Sequence, residues 1–185
     1  QTDGKIVATG TGSDGFALAR YNADGSLDIT FDVDGKITSD AGAGKSIVLQ
    51  TDGKIVTVVD ANKVFGLVRY TTNGMLDNTF GTSGKVITQF VGEAVSSSLV
   101  LQPDGKIIVA GNSWTPASIL DFALARYLTN GNLDTSFGTG GKLYTDMGAG
   151  GNVITSVVLQ ADGKIVVGGS INIGTTSDFA LARYI

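Results

Sequence analysis

The sequence predicts an all-β fold, a β-propeller-like tandem repeat of four-stranded antiparallel blades that is incomplete at both ends. Three observations predict it. Blocks of similar sequence recur in the same order along the 185 residues. The Asp-Gly pairs inside them are typical of tight hairpin turns. The central predicted strand is apolar throughout, so other sheets must cover both of its faces.

The first predicted strand, strand a, is a short apolar run that ends in glutamine. It reads SIVLQ at 46–50, SLVLQ at 98–102 and SVVLQ at 156–160. The glutamine opens the linker Gln-x-Asp-Gly-Lys, in which Asp-Gly suits a type I′ turn because both central residues of that turn need positive φ. Strand a is therefore predicted to form a hairpin with the strand that follows.

Strand b is continuously apolar, and the run from Ile107 to Ala110 is its clearest copy. A strand with one wet face would alternate between apolar and polar residues, whereas an unbroken run indicates that both faces are covered. Four-stranded sheets of about 50 residues, repeated around an axis and covered on both faces, are the blades of a propeller. The alternative is a β-solenoid or stacked array, whose rungs are typically about 20–30 residues long.

Strand c is the run FALARY or FGLVRY, and strand d is the short run after a Gly-Lys pair. A block of the pattern Gly-x-Leu-Asp-x-x-Phe connects them. Copies of strand c stand at 16–21, 65–70, 122–127 and 179–184, and copies of strand d at 35–38, 84–88 and 141–145. A single repeat domain, 1–185, is thus predicted to hold copies at 1–45, 46–97, 98–155 and 156–185, the first and last of them partial.

These blocks together resemble the delta-60 repeat family of bacterial tandem repeats. The matching signature is LQxDGKIVVAG, then FALARYN, DGSLDTSFG and Gly-Lys, and it extends over essentially the whole chain. The resemblance implies a β-propeller-like repeat of a large, often surface-exposed or secreted bacterial protein, and it implies no activity. The sequence departs from the signature at 57–64, TVVDANKV, where the usual Ala-Gly after strand b is missing.

Most charged residues belong to the repeat. All four arginines stand in strand c, and three aspartates stand in the Leu-Asp block. Because a guanidinium fork can bind a carboxylate through two hydrogen bonds, we expect structural ion pairs within or between copies. An anion-binding role for the arginines is the alternative. The residues are Arg20, Arg69, Arg126 and Arg183, with Asp28, Asp77 and Asp134.

Two places outside the repeat pattern are candidates for ligands. Asp32 and Asp34 alternate before Gly35 like the opening of a calcium loop, so calcium is the one ion for which the sequence offers a site; no cofactor is expected otherwise. An ordinary polar turn is the alternative, because the further ligands and the glutamate of a calcium loop do not follow.

Trp114 is the only tryptophan, and it stands in Asn112–Pro116, which is predicted to be the loop between strands b and c. Loops on a rigid scaffold are where binding residues concentrate. Trp114 could stack on a sugar ring while Asn112 and Asp121 bind its hydroxyl groups, as in a lectin or adhesin. The alternative is a tryptophan folded onto the edge of a blade.

Composition excludes several classes of function. The chain has neither cysteine nor histidine, so it lacks thiol nucleophiles and the commonest zinc ligand and general base. Paired aspartates are the remaining option for a hydrolase. The net charge of −4 argues against nucleic acid as a partner. No apolar stretch approaches the length that membrane insertion requires.

We therefore expect a non-enzymatic structural or interaction scaffold, extracellular or on a bacterial cell surface. It would bind through the variable loops between strands or assemble with other copies, and its partners would be other protein chains, further copies of itself or, as a lectin, glycans. Since the first and last copies are partial, we expect either a segment of a longer protein or sheets completed by another chain, in a ring or a filament.

Overall fold

A computed structural model describes residues 1–115, 119–148 and 150–185, and all regular structure in these residues is β-strand. Among them there is no helix long and apolar enough to cross a membrane. The strands are β1 (Ile6–Gly12), β2 (Gly15–Tyr21), β3 (Lys36–Ser39), β4 (Gly44–Leu49), β5 (Ile55–Asp60), β6 (Phe65–Tyr70), β7 (Lys85–Thr88), β8 (Ala94–Leu101), β9 (Ile107–Trp114), β10 (Leu120–Tyr127), β11 (Lys142–Thr145), β12 (Asn152–Leu159), β13 (Ile165–Ile173) and β14 (Thr176–Tyr184).

The strands form four antiparallel sheets that follow one another along the chain. Sheet A has the order β1-β2-β3, sheet B β4-β5-β6-β7, sheet C β8-β9-β10-β11 and sheet D β12-β13-β14. In sheets B and C the strands a, b, c and d lie side by side in sequence order, with short turns between a and b and between b and c and a longer connection between c and d. The predicted class, all-β with four-stranded antiparallel blades, is confirmed.

Strand a carries a bulge opposite strand b, and this bulge explains a glycine of the repeat. The register shifts between Ser96 and Ser98 in sheet C and at the equivalent place in sheets B and D. A Cβ on Gly111, which faces this bulge, would lie 2.1 Å from the carbonyl oxygen of Val95. In sheet B, Val59 stands at the equivalent position and pairs with Gly44. A Cβ on Gly44 would meet Thr9 and Gly10 of sheet A, so this glycine serves the contact between the two sheets.

The apolar core is divided into three clusters, one at each junction between neighbouring sheets. Strand b of sheet C is fully buried from Ile107 to Ala110, which confirms that both of its faces are covered. The a strands β4, β8 and β12 contact one another in turn. Strand a thus lies toward a common centre and strand d toward the outside, as in the blades of a propeller.

Strand c has two faces that pack in opposite directions. We call the side of the first and third residues the Phe face, and the side of the second, fourth and sixth residues the Tyr face. In sheet C, Phe122 and Leu124 pack on sheet D, whereas Ala123, Ala125 and Tyr127 pack on sheet B. At each junction the Phe face of one sheet meets the Tyr face of the next.

Hydrogen bonds supplement this packing. The Tyr127 hydroxyl donates to Thr88 Oγ1 at 2.8 Å, and the Tyr184 hydroxyl donates to Thr145 Oγ1 at 2.9 Å. Both bonds run from strand c of one sheet to strand d of the preceding sheet. Because a buried tyrosine hydroxyl needs a partner, these bonds stabilise the observed orientation of sheets C and D on the sheets that precede them.

Candidate interaction surfaces

In the first three copies the arginine of strand c binds the Leu-Asp carboxylate of its own copy. The carboxylate follows eight residues later and accepts a hydrogen bond from the arginine Nε. The Nε–Oδ2 distances are 2.6 Å for Arg20–Asp28, 2.9 Å for Arg69–Asp77 and 2.9 Å for Arg126–Asp134. The structure thus brings together the predicted residues of these copies, through Nε rather than through the two-bond fork that we expected.

The terminal guanidinium nitrogens of two of these arginines connect one copy to the next. Arg20 Nη1 donates to the carbonyl oxygen of Thr72 at 2.6 Å, and Arg69 Nη1 donates to that of Thr129, also at 2.6 Å. Each guanidinium also lies over a repeat phenylalanine, 4.5 Å from the centroid of Phe31 in the first copy. Arg20 and Arg69 therefore link neighbouring sheets through hydrogen bonds, whereas the cation–π contacts hold each guanidinium within its own copy.

The aspartates that form ion pairs with these arginines are held in their ionised form. The Thr30 hydroxyl donates to Asp28 at 2.6 Å and is the largest cause that lowers the pKa of Asp28. Burial by itself would raise the pKa of Asp77, but hydrogen bonds from Thr79 and the charge of Arg69 outweigh it, so that this pKa is also lowered. A carboxylate engaged in this way is a poor general acid or base near neutral pH.

Arg183 differs from the other three arginines. Its side chain is exposed, and among the described residues no carboxylate lies within salt-bridge distance of it. The fourth predicted pair is therefore not formed in this chain.

Asp32 and Asp34 lie in the c–d connection of sheet A. Asp34 Oδ1 accepts a hydrogen bond from the Lys36 amide at 3.0 Å, and the Asp32 amide donates to the carbonyl oxygen of Asn73 at 2.7 Å. Within the described parts of the chain, no group of three or more His, Cys, Asp or Glu side chains could hold a metal ion. The pair therefore resembles a polar turn that docks on the next copy, and in the described ranges no third carboxylate joins it in a metal-binding group.

The predicted loop at Asn112–Pro116 begins later in the structure than in the sequence analysis. Strand β9 continues to Trp114, which pairs with Leu120 of β10. The assignment of residues 112–114 to a loop was wrong, because pairing with β10 extends the strand beyond its apolar run. Residues 116–118, with Pro116, lie outside the described residues.

Asn112 and Asp121 are buried at the junction of sheets C and D. Asn112 Nδ2 donates to the carbonyl oxygen of Asn152 at 2.5 Å, and Asn112 Oδ1 accepts from the Ile154 amide at 3.1 Å. Asn152 Nδ2 donates to Asp121 Oδ1 at 3.2 Å. Burial, with a smaller effect of the Asp146 charge, raises the pKa of Asp121. These two side chains connect sheets, and of the predicted sugar-binding trio Trp114 alone is half-exposed.

The b–c turns and the d–a connections share one edge of the sheets, which we call the variable face. Backbone hydrogen bonds link the two kinds of loop, as between the Ala94 amide and the carbonyl oxygen of Lys63 at 2.7 Å. The a–b turns and the c–d connections lie at the opposite edge. In the described residues the variable face comprises 13–14, 40–43, 61–64, 89–93, 115, 119, 146–148, 150–151 and 174–175.

Residues that do not belong to the repeat gather on the variable face. Lys63 and Glu93, the only glutamate of the chain, form an exposed ion pair of 2.7 Å. Phe90, the one phenylalanine outside the repeat, packs on Phe65 with ring centroids 4.4 Å apart, and Trp114 borders the same edge. The sequence did not predict that these residues lie together. Each of them nevertheless stands outside the positions that the repeat gives to other residues of its type.

A second kind of surface lies at the two ends of the row of sheets. Phe179 is 71% exposed and Leu181 is 53% exposed on the Phe face of sheet D, whereas Phe122 in the equivalent position of sheet C is 0% exposed. At the other end, Ile6 is 54% exposed on the Tyr face of sheet A. Both ends therefore present apolar side chains that inner copies bury.

Comparisons with known proteins agree with this architecture. Four segments of the chain, 1–31, 50–80, 102–137 and 160–184, match a family model described as a domain of unknown function (DUF5122) beta-propeller. No curated protein matches the sequence.

Solved structures of similar fold are distant in sequence. A protein of unknown function from Bacteroides caccae is 12% identical, with a TM-score of 0.55 over 98% of this chain and 57% of that one. The extracellular domains 1–2 of Drosophila semaphorin 1b are 9% identical, with a TM-score of 0.57 over 100% of this chain and 39% of that one. The chain thus spans little more than half of the first protein and less than half of the second, and at such identities the likeness concerns the fold alone.

Proposed function

Because the chain belongs to the DUF5122 β-propeller family, whose function is unknown, we propose that it is a non-enzymatic interaction scaffold that binds another protein through its variable face. One observation carries this proposal. The arginines and aspartates of the first three copies are engaged inside the fold, whereas side chains that break the repeat, among them the exposed Lys63–Glu93 pair, meet on one edge.

The chemistry of the variable face suits a protein partner. Val91 is exposed there next to the buried Phe90, and its amide donates to the hydroxyl of the exposed Tyr144 at 3.2 Å. Aromatic side chains with a few polar groups at the rim are typical of protein interfaces, and tryptophan is enriched at their centres. The a–b turns repeat Gln-x-Asp-Gly-Lys in all four copies. Specific recognition of one protein partner is therefore better explained by the variable face than by the edge that carries the a–b turns.

An extracellular or bacterial cell-surface location is part of this proposal. A composition rich in glycine and poor in lysine supports it, as does the resemblance to delta-60 repeats. Antibody labelling of intact cells that produce the protein should give a signal before permeabilisation. Labelling that requires permeabilised cells would contradict the location.

Selection from a phage-displayed peptide library tests the binding face. The library is selected on the wild-type chain, and the enriched peptides are then measured against two valine variants. Val91→Asp changes the variable face at a residue that is 73% exposed, and Val33→Asp changes the opposite edge at a residue that is 86% exposed. We expect Val91→Asp to lose binding and Val33→Asp to retain it.

Peptides that bind both variants equally, or an absence of enrichment, would contradict the proposal. A glycan array tests the carbohydrate-binding alternative in the same preparation. Glycan binding that disappears in Trp114→Ala would favour the lectin, because aromatic stacking on a sugar ring would then be the binding contact.

A further inference from the structure

The charges of the chain are divided unequally between the two edges of the sheets. The edge of the a–b turns and c–d connections, with the arginines that end strand c and the lysines that open strand d, holds ten aspartates, seven lysines and four arginines. These charges leave +1. The other seven carboxylates and two lysines lie on the variable face or within three residues of it and leave −5. The net charge of −4 therefore arises at one edge. The carboxylates are Asp14, Asp40, Asp60, Glu93, Asp121, Asp146 and Asp178, and the lysines are Lys45 and Lys63.

The repeat neutralises its own carboxylates at the edge of the a–b turns. Lys54 Nζ lies 2.9 Å from Asp52 Oδ2 in the second copy, and Lys106 Nζ lies 2.8 Å from Asp104 Oδ2 in the third. The Leu-Asp carboxylates bind the arginines of strand c, as described above. This edge therefore offers few unpaired charges to a partner.

The carboxylates of the variable face are mostly without a cation. Glu93 has Lys63, but among the described residues no lysine or arginine lies within salt-bridge distance of Asp14, Asp40 or Asp146. All three of these aspartates are exposed. They stand in three different loops, and two of these loops touch, since a Cβ on Gly15 would lie 3.8 Å from Asp40 Cα. The variable face thus presents negative charge that the chain itself does not compensate.

Apolar and aromatic side chains lie beside this charge. Val91 is 73% exposed and Tyr144 is 41% exposed, and the Val91 amide donates to the Tyr144 hydroxyl. The amide of the half-exposed Trp114 donates to the carbonyl oxygen of Glu93 at 2.8 Å. Asp146 follows Tyr144 by two residues. The face therefore combines an apolar contact area with carboxylates at its rim, as protein interfaces do.

We propose that the partner of the variable face is a cationic segment of a protein. Its lysine or arginine side chains bind Asp14, Asp40 and Asp146, and its apolar side chains cover Val91 and Tyr144. Charge complementarity identifies this occupant, because like charges across an interface are unfavourable and opposite charges select the partner. Arginine can in addition stack on an aromatic ring such as that of Trp114. The inference rests on the proposed function and names the chemistry of the partner.

A sensitivity to salt follows from the division of charge. An edge with a charge of −5 attracts a cationic segment before the two surfaces touch, and dissolved ions screen this attraction. The screening length falls from about 10 Å in about 0.1 M salt to about 3 Å in about 1 M salt. Binding at the variable face should therefore weaken steeply as NaCl is raised over this range.

Fluorescence anisotropy with two synthetic peptides tests the proposal. One labelled peptide alternates lysine and leucine, and the other alternates glutamate and leucine, so that the two differ in the sign of their charge. We expect the lysine–leucine peptide to bind the wild-type chain with an affinity that falls with NaCl, and the glutamate–leucine peptide not to bind. Equal affinities for the two peptides, or an affinity independent of salt, would overturn the proposal.

Two triple variants locate the binding charge. Both remove three exposed carboxylates as asparagines, which retain a side-chain oxygen that can accept a backbone hydrogen bond, as Asp3, Asp24, Asp34 and Asp146 do. The variable-face variant combines Asp14→Asn, Asp40→Asn and Asp146→Asn, and the control combines Asp3→Asn, Asp24→Asn and Asp34→Asn at the opposite edge.

The two variants have the same net charge, so they separate the charge of one face from that of the whole chain. We expect the variable-face variant to bind the lysine–leucine peptide about 10-fold more weakly than the wild type, because each exposed ion pair contributes less than a factor of ten. The control should bind like the wild type. Equal losses in the two variants would show that only net charge matters and would overturn the proposal.

Failure of this inference can be told from failure of the proposed function. Phage-selected peptides that require Val91 but carry no lysine or arginine would leave the protein-binding scaffold in place and overturn the cationic partner. An absence of enrichment from the library would count against the proposed function alone, because the lysine–leucine peptide tests the charge of the face without selection.

Discussion

The sequence FALARY occurs with identical letters in sheets C and D, and its two copies have opposite environments. In both sheets it forms strand c and pairs with strand b over its whole length. Phe122 and Leu124 are buried against sheet D, whereas Phe179 and Leu181 are exposed. The comparison shows that pairing with strand b is sufficient to form the strand, whereas burial of its Phe face requires a neighbouring sheet. This is expected of a repeat protein in which each repeat contacts only its neighbours.

The largest expected difference is between alanine substitutions at the two phenylalanines. Phe122→Ala should lower the free energy of unfolding by about 3–5 kcal/mol, since it leaves a cavity in a filled core. Phe179→Ala should change it by less than about 0.5 kcal/mol, since its ring is exposed. Urea denaturation of the monomer measures both, and similar losses for the two variants would break the comparison.

The next largest difference concerns the ion pairs. Asp77→Ala leaves the buried guanidinium of Arg69 without its carboxylate, and we expect a loss of about 3 kcal/mol. Arg183→Ala removes an exposed arginine, and the loss should stay below about 0.5 kcal/mol. Both free energies follow from urea titrations at neutral pH. A small loss for Asp77→Ala would show that hydrogen bonds from Arg69 to other groups are sufficient.

Two adjacent glycines of sheet D allow a comparison of a crowded and an open position, because alanine adds one methyl group at each. A Cβ on Gly169 would lie 1.8 Å from the carbonyl oxygen of Val153, whereas a Cβ on Gly168 meets no atom within 4 Å. Gly169→Ala should cost about 1–3 kcal/mol, and Gly168→Ala should stabilise the strand by about 0.5 kcal/mol. Thermal denaturation distinguishes them, and equal midpoints would contradict the close approach at the bulge.

The smallest effect is a pH dependence. Since the pKa of folded Asp77 is below its ordinary value, its ionised form stabilises the fold. This contribution is complete above the pKa of the unfolded chain, about 4, and is lost as the pH falls through that value toward the folded pKa. The urea midpoint of the wild type should fall across this range, and Asp77→Asn should show a shallower fall. Parallel curves would exclude this role of Asp77.

Much of the fold could be predicted because its signals are local. The Asp-Gly turns, the apolar run at 107–110 and the repeated order of blocks predict the strands and their pairing without knowledge of distant contacts. The end of β9 was misjudged because pairing with β10, rather than the residues of 112–114, extends the strand. Pairing partners of this kind are not visible in a short stretch of sequence.

The candidate surfaces were harder to predict than the fold. Trp114 was predicted to act with Asn112 and Asp121, but the side chains of these two residues bind sheet D instead of facing the surface. The contact between Lys63 and Glu93, which are 30 residues apart in the chain, was not predicted. Such contacts depend on how neighbouring sheets pack on one another. The pattern of residues along a single strand does not show which residues of another sheet it will contact.

The sequence by itself determined that this chain folds into repeated hairpins of apolar strands, since turn chemistry and residue pattern act over a few residues. The tertiary structure alone decided which identical side chains are buried and which are exposed. The physical reason is that burial belongs to the contact between two sheets: FALARY is a core strand when another sheet covers its Phe face and an exposed surface when none does.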